Sequence, residues 1–172
     1  MKIQEYNKEG FVKDKMAENL IQYVVKELES GTYDSLPKQN VLIERLRTAG
    51  WDHKVTIGEN CNHSIDGILE KVGVCGYFGH QQAAFQKLLA FQSLYADKKI
   101  KECYYITQTS ETAELRHRLV SGIRQQKKSF SGNGNRITLE GLSSAMSYYH
   151  RFITIPMTII GIEIDESQIR LK

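Results

Sequence analysis

Three groups of side chains in this sequence could do chemistry, and each suggests something different. Asp66 is followed nine residues later by Cys75 and then by Tyr77, in the run S-I-D-G-I-L-E-K-V-G-V-C-G-Y, with Glu59 and Glu70 near it in the chain. A carboxylate is an oxygen ligand for a hard divalent cation. One acid alone holds such an ion weakly. Cys75 is a soft donor, and Tyr77 is a neutral phenol at physiological pH. An Asp before a Gly equally serves a turn, and a free cysteine equally fills a core. Cys61-x-His63 and Cys75-x4-His80 hold the atoms of a tetrahedral zinc site, although not at the spacing of a zinc knuckle.

The third group is basic. Arg116, Arg118, Arg124, Lys127, Lys128 and Arg136 fall within about twenty residues, interleaved with Gln125, Gln126, Asn133 and Asn135. Arg and Lys neutralise phosphates, and Arg, Gln and Asn read base edges in the major groove. The same composition suits a solvated helix face followed by the loop S-F-S-G-N-G-N-R. The sequence has no glycine-rich phosphate loop and no Ser/His/Asp arrangement in a recognisable context.

Positioning these residues falls to short elements. Ile65, Ile68, Leu69, Val72, Val74 and Phe78 mark two extended runs, joined at Glu70-Lys71. Alternate residues of a strand point the same way, so Cys75 and Tyr77 share a face. After Gly79 the period changes: Ala84, Leu88, Phe91 and Tyr95 predict a helix that covers the pair. Upstream, Met16, Leu20, Val24 and Leu28 predict a helix from Asp14, closed by Gly31. Asn40 caps a second short helix stopped by Gly50, and Trp51 is a core anchor. Residues 1 to 13 are mixed and polar. Downstream come a strand over 100–108, a basic helix over 111–128, a last helix capped by Thr138, and an apolar strand over 157–164. Strands alternating with helices give α/β with a small mixed sheet.

Length and charge set the bounds. A chain of 172 residues suits one domain with a proper core. The net charge of +3 is mild, so a nucleic-acid surface has to come from local clustering. Three cysteines, an odd number, argue against a disulfide framework and fit a reducing compartment. No run approaches the ~18 apolar residues of a membrane span, and Met1-Lys2-Ile3-Gln4-Glu5 is no secretory leader. The expectation is a cytoplasmic protein that does not enter a membrane.

Taken together, the elements and residues resemble the core of the PD-(D/E)xK nucleases, restriction endonucleases of the BglII kind in particular. In that family an Asp starts a hairpin whose second strand carries an acid, a spacer, then Glu, Gln or Lys. Asp66 matches the first acid; Cys75 and Tyr77 fall at the second and third positions without matching them. Leu46 to Trp51 (L-R-T-A-G-W), Glu102 to Thr109 and Ile155 to Asp165 extend the likeness.

The resemblance implies a restriction-endonuclease-like three-layer core, a small mixed β-sheet flanked by helices. It implies a single domain over 1–172, with a helical part at about 14–50 and a core at about 62–165. Asp66 becomes the metal ligand, Glu59 or Glu70 a substitute second acid, and Mg²⁺ the cofactor if the chain is active. The basic segment, with His80 and Gln81, becomes the DNA surface, and double-stranded DNA the partner. A homodimer mirrors a palindromic site; a heterodimer with an active nuclease subunit is the other arrangement. The function expected first is duplex-DNA binding with weakened or lost nuclease activity. The alternatives are an active Mg²⁺-dependent type II restriction endonuclease with a displaced carboxylate, and a protein-interaction scaffold.

Overall fold

In the computed structural model the chain is described over residues 1–31, 39–52, 54–59, 61, 63–125 and 136–168, with 39 and 119–125 given by backbone alone. The strands, in chain order, are β1 (Lys2–Tyr6), β2 (Val55–Thr56), β3 (Ser64–Ile65), β4 (Gly67–Leu69), β5 (Val72–Gly76), β6 (Glu102–Gln108) and β7 (Met157–Ile162). The helices are α1 (Lys15–Ser30), α2 (Gln39–Thr48), α3 (Gln81–Ala96), α4 (Ser110–Gln125) and α5 (Leu139–Tyr149).

Five strands form one mixed sheet in the order β1-β7-β6-β5-β4, and β2 pairs with β3 in a separate two-stranded ribbon. β5, β6 and β7 run parallel, while β4 and β1 are antiparallel edges. All three parallel strands are buried throughout, as strands covered on both faces must be. Cys75, Cys103, Tyr105, Met157 and Ile159 pack on one side against α3 and α5. Val72, Val74, Tyr104, Ile106, Ile160 and Ile162 pack on the other against α1 and α2. Helices, sheet, helices: three layers follow from strict alternation along three strands.

Caps fix where the helices start. The Asp14 carboxylate accepts from the Met16 and Ala17 amides, and the Thr138 hydroxyl accepts from that of Gly141. Several expectations change in detail. The polar residues 1–13 contain β1, an edge strand that stays mostly exposed and therefore carries no apolar alternation. Gly31 ends α1 with extended backbone (φ −68°), whereas Gly50 takes the left-handed conformation (φ +88°). Asn40 lies inside α2 rather than capping it. Met16 is turned out to solvent, because the buried face of α1 is Ala17, Ile21, Val24, Val25 and Leu28. Among the described residues no helix is long and apolar enough to cross a membrane.

Candidate functional site

Asp66 does not lie within a continuous strand. It occupies a bend between β3, which pairs with β2, and β4, which pairs with β5. Its amide donates to Val74 O (3.0 Å), its carbonyl accepts from the Lys54 amide (3.1 Å), and its Oδ2 accepts from the Gly76 amide (2.7 Å). The residue is only 7% exposed, so this carboxylate closes the end of the hairpin from inside the protein. The Gly after each functional position is there for space. A Cβ on Gly76 would land 1.7 Å from Leu42 Cδ2 of α2, and one on Gly67 would land 2.6 Å from the Asp52 carbonyl.

Cys75, next to Gly76, is fully buried in the layer under α3. Burial pushes its thiol well up from the ordinary range; the Asp66 charge and a hydrogen bond to Asp66 push the same way, and the Lys87 charge opposes them. It is therefore a neutral thiol. Tyr77 packs on that face too, half-buried, as the alternation of the strand requires. Its ring covers Gly79, where a Cβ would meet Tyr77 Oη at 2.4 Å.

Neither substitute acid stands beside Asp66. Glu70 is at the hairpin tip, beyond the Leu69–Val72 pair, with φ +45° and Lys71 at φ +66°. The three residues of β4 separate it from Asp66, four steps along the strand or roughly 13 Å. Glu59 is exposed in the turn at the far end of the β2–β3 ribbon, five residues beyond Lys54, whose amide meets the Asp66 carbonyl. Among the described residues no group of three or more His, Cys, Asp or Glu is gathered to hold a metal ion, so Cys61, His63, Cys75 and His80 do not form a zinc site. At the expected metal position the chain offers one carboxylate tied to a backbone amide, a protonated thiol and a phenol. That set does not fit a hard dication.

What the fold does bring there is a lysine and a buried polar brace. Lys87 reaches from α3 to the Ser64 carbonyl, with Nζ 2.6 Å from the oxygen. His80, exposed, is the residue preceding α3, and Gln81 is the first residue of that helix. His80 and Arg136 face each other across an isolated antiparallel bridge, and the Ile137 amide donates to Gly79 O (2.9 Å). Behind this bridge Gln108 is 1% exposed, its Nε2 donating to Ile137 O (3.2 Å). Arg116 donates to Phe78 O (3.2 Å) and to Gln108 Oε1 (3.4 Å), and Thr107 Oγ1 donates to Tyr77 O (2.9 Å). Burial, and the nearby Arg136 charge, bring the Arg116 pKa down to about 10. Arg116 thus braces the site through its guanidinium Nη1, while His117 and Arg118 are exposed. Arg124 is described by backbone only, and Lys127, Lys128, Asn133 and Asn135 lie outside the described residues.

Lys87, Thr107 and Gln108 are absent from the residues that the sequence singles out. Signals existed for two of them. Lys87 is a charge set beside the apolar seam of Ala84, Leu88 and Phe91, and Gln108 is an amide at the end of an otherwise apolar strand.

A family model described as Restriction endonuclease BglII/BglIII matches residues 11–162. Among solved structures, the chain is similar in fold to restriction endonuclease BglII complexed with a DNA 16-mer. The TM-score is 0.69 at 10% identity, covering 96% of this chain and 76% of that one. No curated protein matches it by sequence.

Proposed function

Because the chain belongs to the BglII/BglIII restriction endonuclease family, we propose that it binds duplex DNA while metal-dependent cleavage is weakened or lost. The observation that carries this reading is the Asp66–Gly76 hydrogen bond beside a buried, neutral Cys75. Two acids that would hold Mg²⁺ in the family are reduced here to one, and that one is engaged by the backbone. The DNA surface on this reading is the end of the sheet where β5 and β6 finish. His80, Gln81, Arg118 and Arg136 meet the duplex there, Arg116 holds them in place, and Arg124, Lys127, Lys128, Asn133 and Asn135 are DNA-contacting residues of the same basic segment. One domain carries all of it, and the cytoplasm is its compartment.

The assembly we propose is a homodimer on a two-fold DNA site. Support comes from the layer of α3 and α5. Leu89, Tyr148 and Phe152 are 62%, 76% and 73% exposed there, and Gln92 ties α3 to Thr154 just beyond α5. Large apolar side chains left exposed on this layer suit a partner. A heterodimer with an active nuclease subunit uses the same face.

Family membership keeps one rival open, a working type II restriction endonuclease with Mg²⁺ on Asp66. A single experiment separates the readings: mixed-sequence duplex DNA, with and without Mg²⁺, scored for retardation and for cutting. Retardation that weakens with salt, without cutting, is the expected result, because counterion release makes phosphate binding salt-dependent. Mg²⁺-dependent cutting that Asp66→Ala abolishes establishes the enzyme instead. Absence of retardation leaves the fold as an interaction scaffold.

A further inference from the structure

A carboxylate at a DNA-facing sheet end repels phosphate, and in a two-acid site the bound dication reverses that sign. Here the acids do not suit a dication, yet Asp66 remains, within a hairpin that α3 covers. α3 also delivers a positive charge. Lys87 is half-buried, and its Nζ lies 2.6 Å from Ser64 O, two residues before Asp66. An ammonium carries three donors, of which this carbonyl takes one. Its charge is also felt at Cys75, the position that resembles the family's second acid.

Resting on the DNA-binding reading above, we propose that Lys87 is a phosphate-binding residue, its ammonium contacting a backbone phosphate where a two-acid site would use a metal ion. A lysine suits the task because its charge is compact and rides on a flexible stem. It can keep Ser64 O while turning its other donors outward. The consequence is a site whose positive charge comes from the chain itself, so Mg²⁺ is not required for the duplex to approach.

The bland account of Lys87 is that it only pins β3 to α3 through Ser64. Two substitutions separate the accounts: Lys87→Met keeps the stem and removes the charge, and Lys87→Gln removes the charge while keeping a donor. Binding of a mixed-sequence duplex is measured against salt concentration, without Mg²⁺ and with it. The wild-type protein gives a linear fall of log affinity with log salt. Both variants flatten that slope by about one unit, the loss of one phosphate contact, whether or not Mg²⁺ is present. Lys87→Arg restores it. Lys98→Met, an exposed lysine just past the far end of α3, leaves it unchanged. Variants that fold, by their thermal transition, and keep the wild-type slope overturn the assignment and leave Lys87 as a pin. A wild-type protein with no salt-dependent binding overturns the DNA-binding reading itself, and this inference with it.

Discussion

Asp66 shows how one side chain can satisfy a family pattern and a structural requirement together. Its Oδ2 is the acceptor for the Gly76 amide at 2.7 Å, and both residues are buried. Removing the carboxylate strands a buried N–H, and such a group costs about 1–3 kcal/mol when left unpaired. Asp66→Ala should therefore lower the unfolding free energy by about that amount. Asp66→Asn, which keeps an oxygen in place, should cost less than half as much. Urea denaturation of the two variants checks this, and equal losses would show that charge rather than the acceptor matters. The pair also carries a functional reading: Asn preserves the hairpin, so any effect of Asp66→Asn on DNA binding reports the charge alone. Gln108 belongs at the same scale. Its amide joins Ile137 O to the Arg116 guanidinium inside the protein, so it supports the basic surface without touching solvent.

Among elements, the hairpin β4–β5 is the one the sequence reveals most clearly, and its tip is its weakest point. Glu70 and Lys71 both adopt positive φ, the requirement of a type I′ turn, although neither residue favours it. Left-handed backbone costs a non-glycine residue roughly 1–2 kcal/mol. Glu70→Asn with Lys71→Gly supplies the preferred pair and should stabilise the protein by about 1 kcal/mol, read as a higher denaturation midpoint. DNA binding should stay as it was, since the tip is roughly 13 Å of strand from Asp66. That turn was legible because apolar runs flank it on both sides. The bend at Asp66 is legible only as an Asp before a Gly, and the exchange of partners there, from β2 to β5, leaves no mark in the apolar pattern. β1 is not legible for a related reason: an edge strand written K-I-Q-E-Y exposes nearly every side chain. α3 could be read down to its core seam, yet Lys87 beside that seam reads as ordinary helix surface until Ser64 is known to lie under it. The helical start of the basic segment was legible, and Arg116 turning inward was not, since the Phe78 carbonyl that it meets is 38 residues away in the chain.

At the scale of the molecule, a sheet covered on both faces buries groups that would ionise in an open chain. Cys75, Cys103 and Tyr105 have their pKa values pushed well up, chiefly by burial, and Tyr104 is raised in the same way. Each stays protonated in the folded protein at a pH where the unfolded chain has begun to lose that proton. The native state then holds more protons than the unfolded one, so stability falls as pH rises. The fall begins near the unfolded thiol value, about pH 8.5, and steepens near pH 10 as the tyrosines join. Each such group contributes up to about 1.4 kcal/mol per pH unit. Lys8 works in the opposite direction: burial lowers its pKa, so stability gains as pH climbs from that lowered value towards its unfolded one. Arg116, brought down to about 10, joins Lys8 at the alkaline end, and one lysine and one arginine against two thiols and two phenols leave the net slope downward. Thermal transitions followed from pH 7 to 10.5 should show this. Cys75→Ala with Cys103→Ala should start from a lower transition at pH 7, because two buried side chains are truncated, yet its decline should begin nearer pH 10. A decline that still sets in near pH 8.5 would place the sensitive groups outside the core, and the three-layer burial of these strands would not be what makes the fold sensitive to alkali.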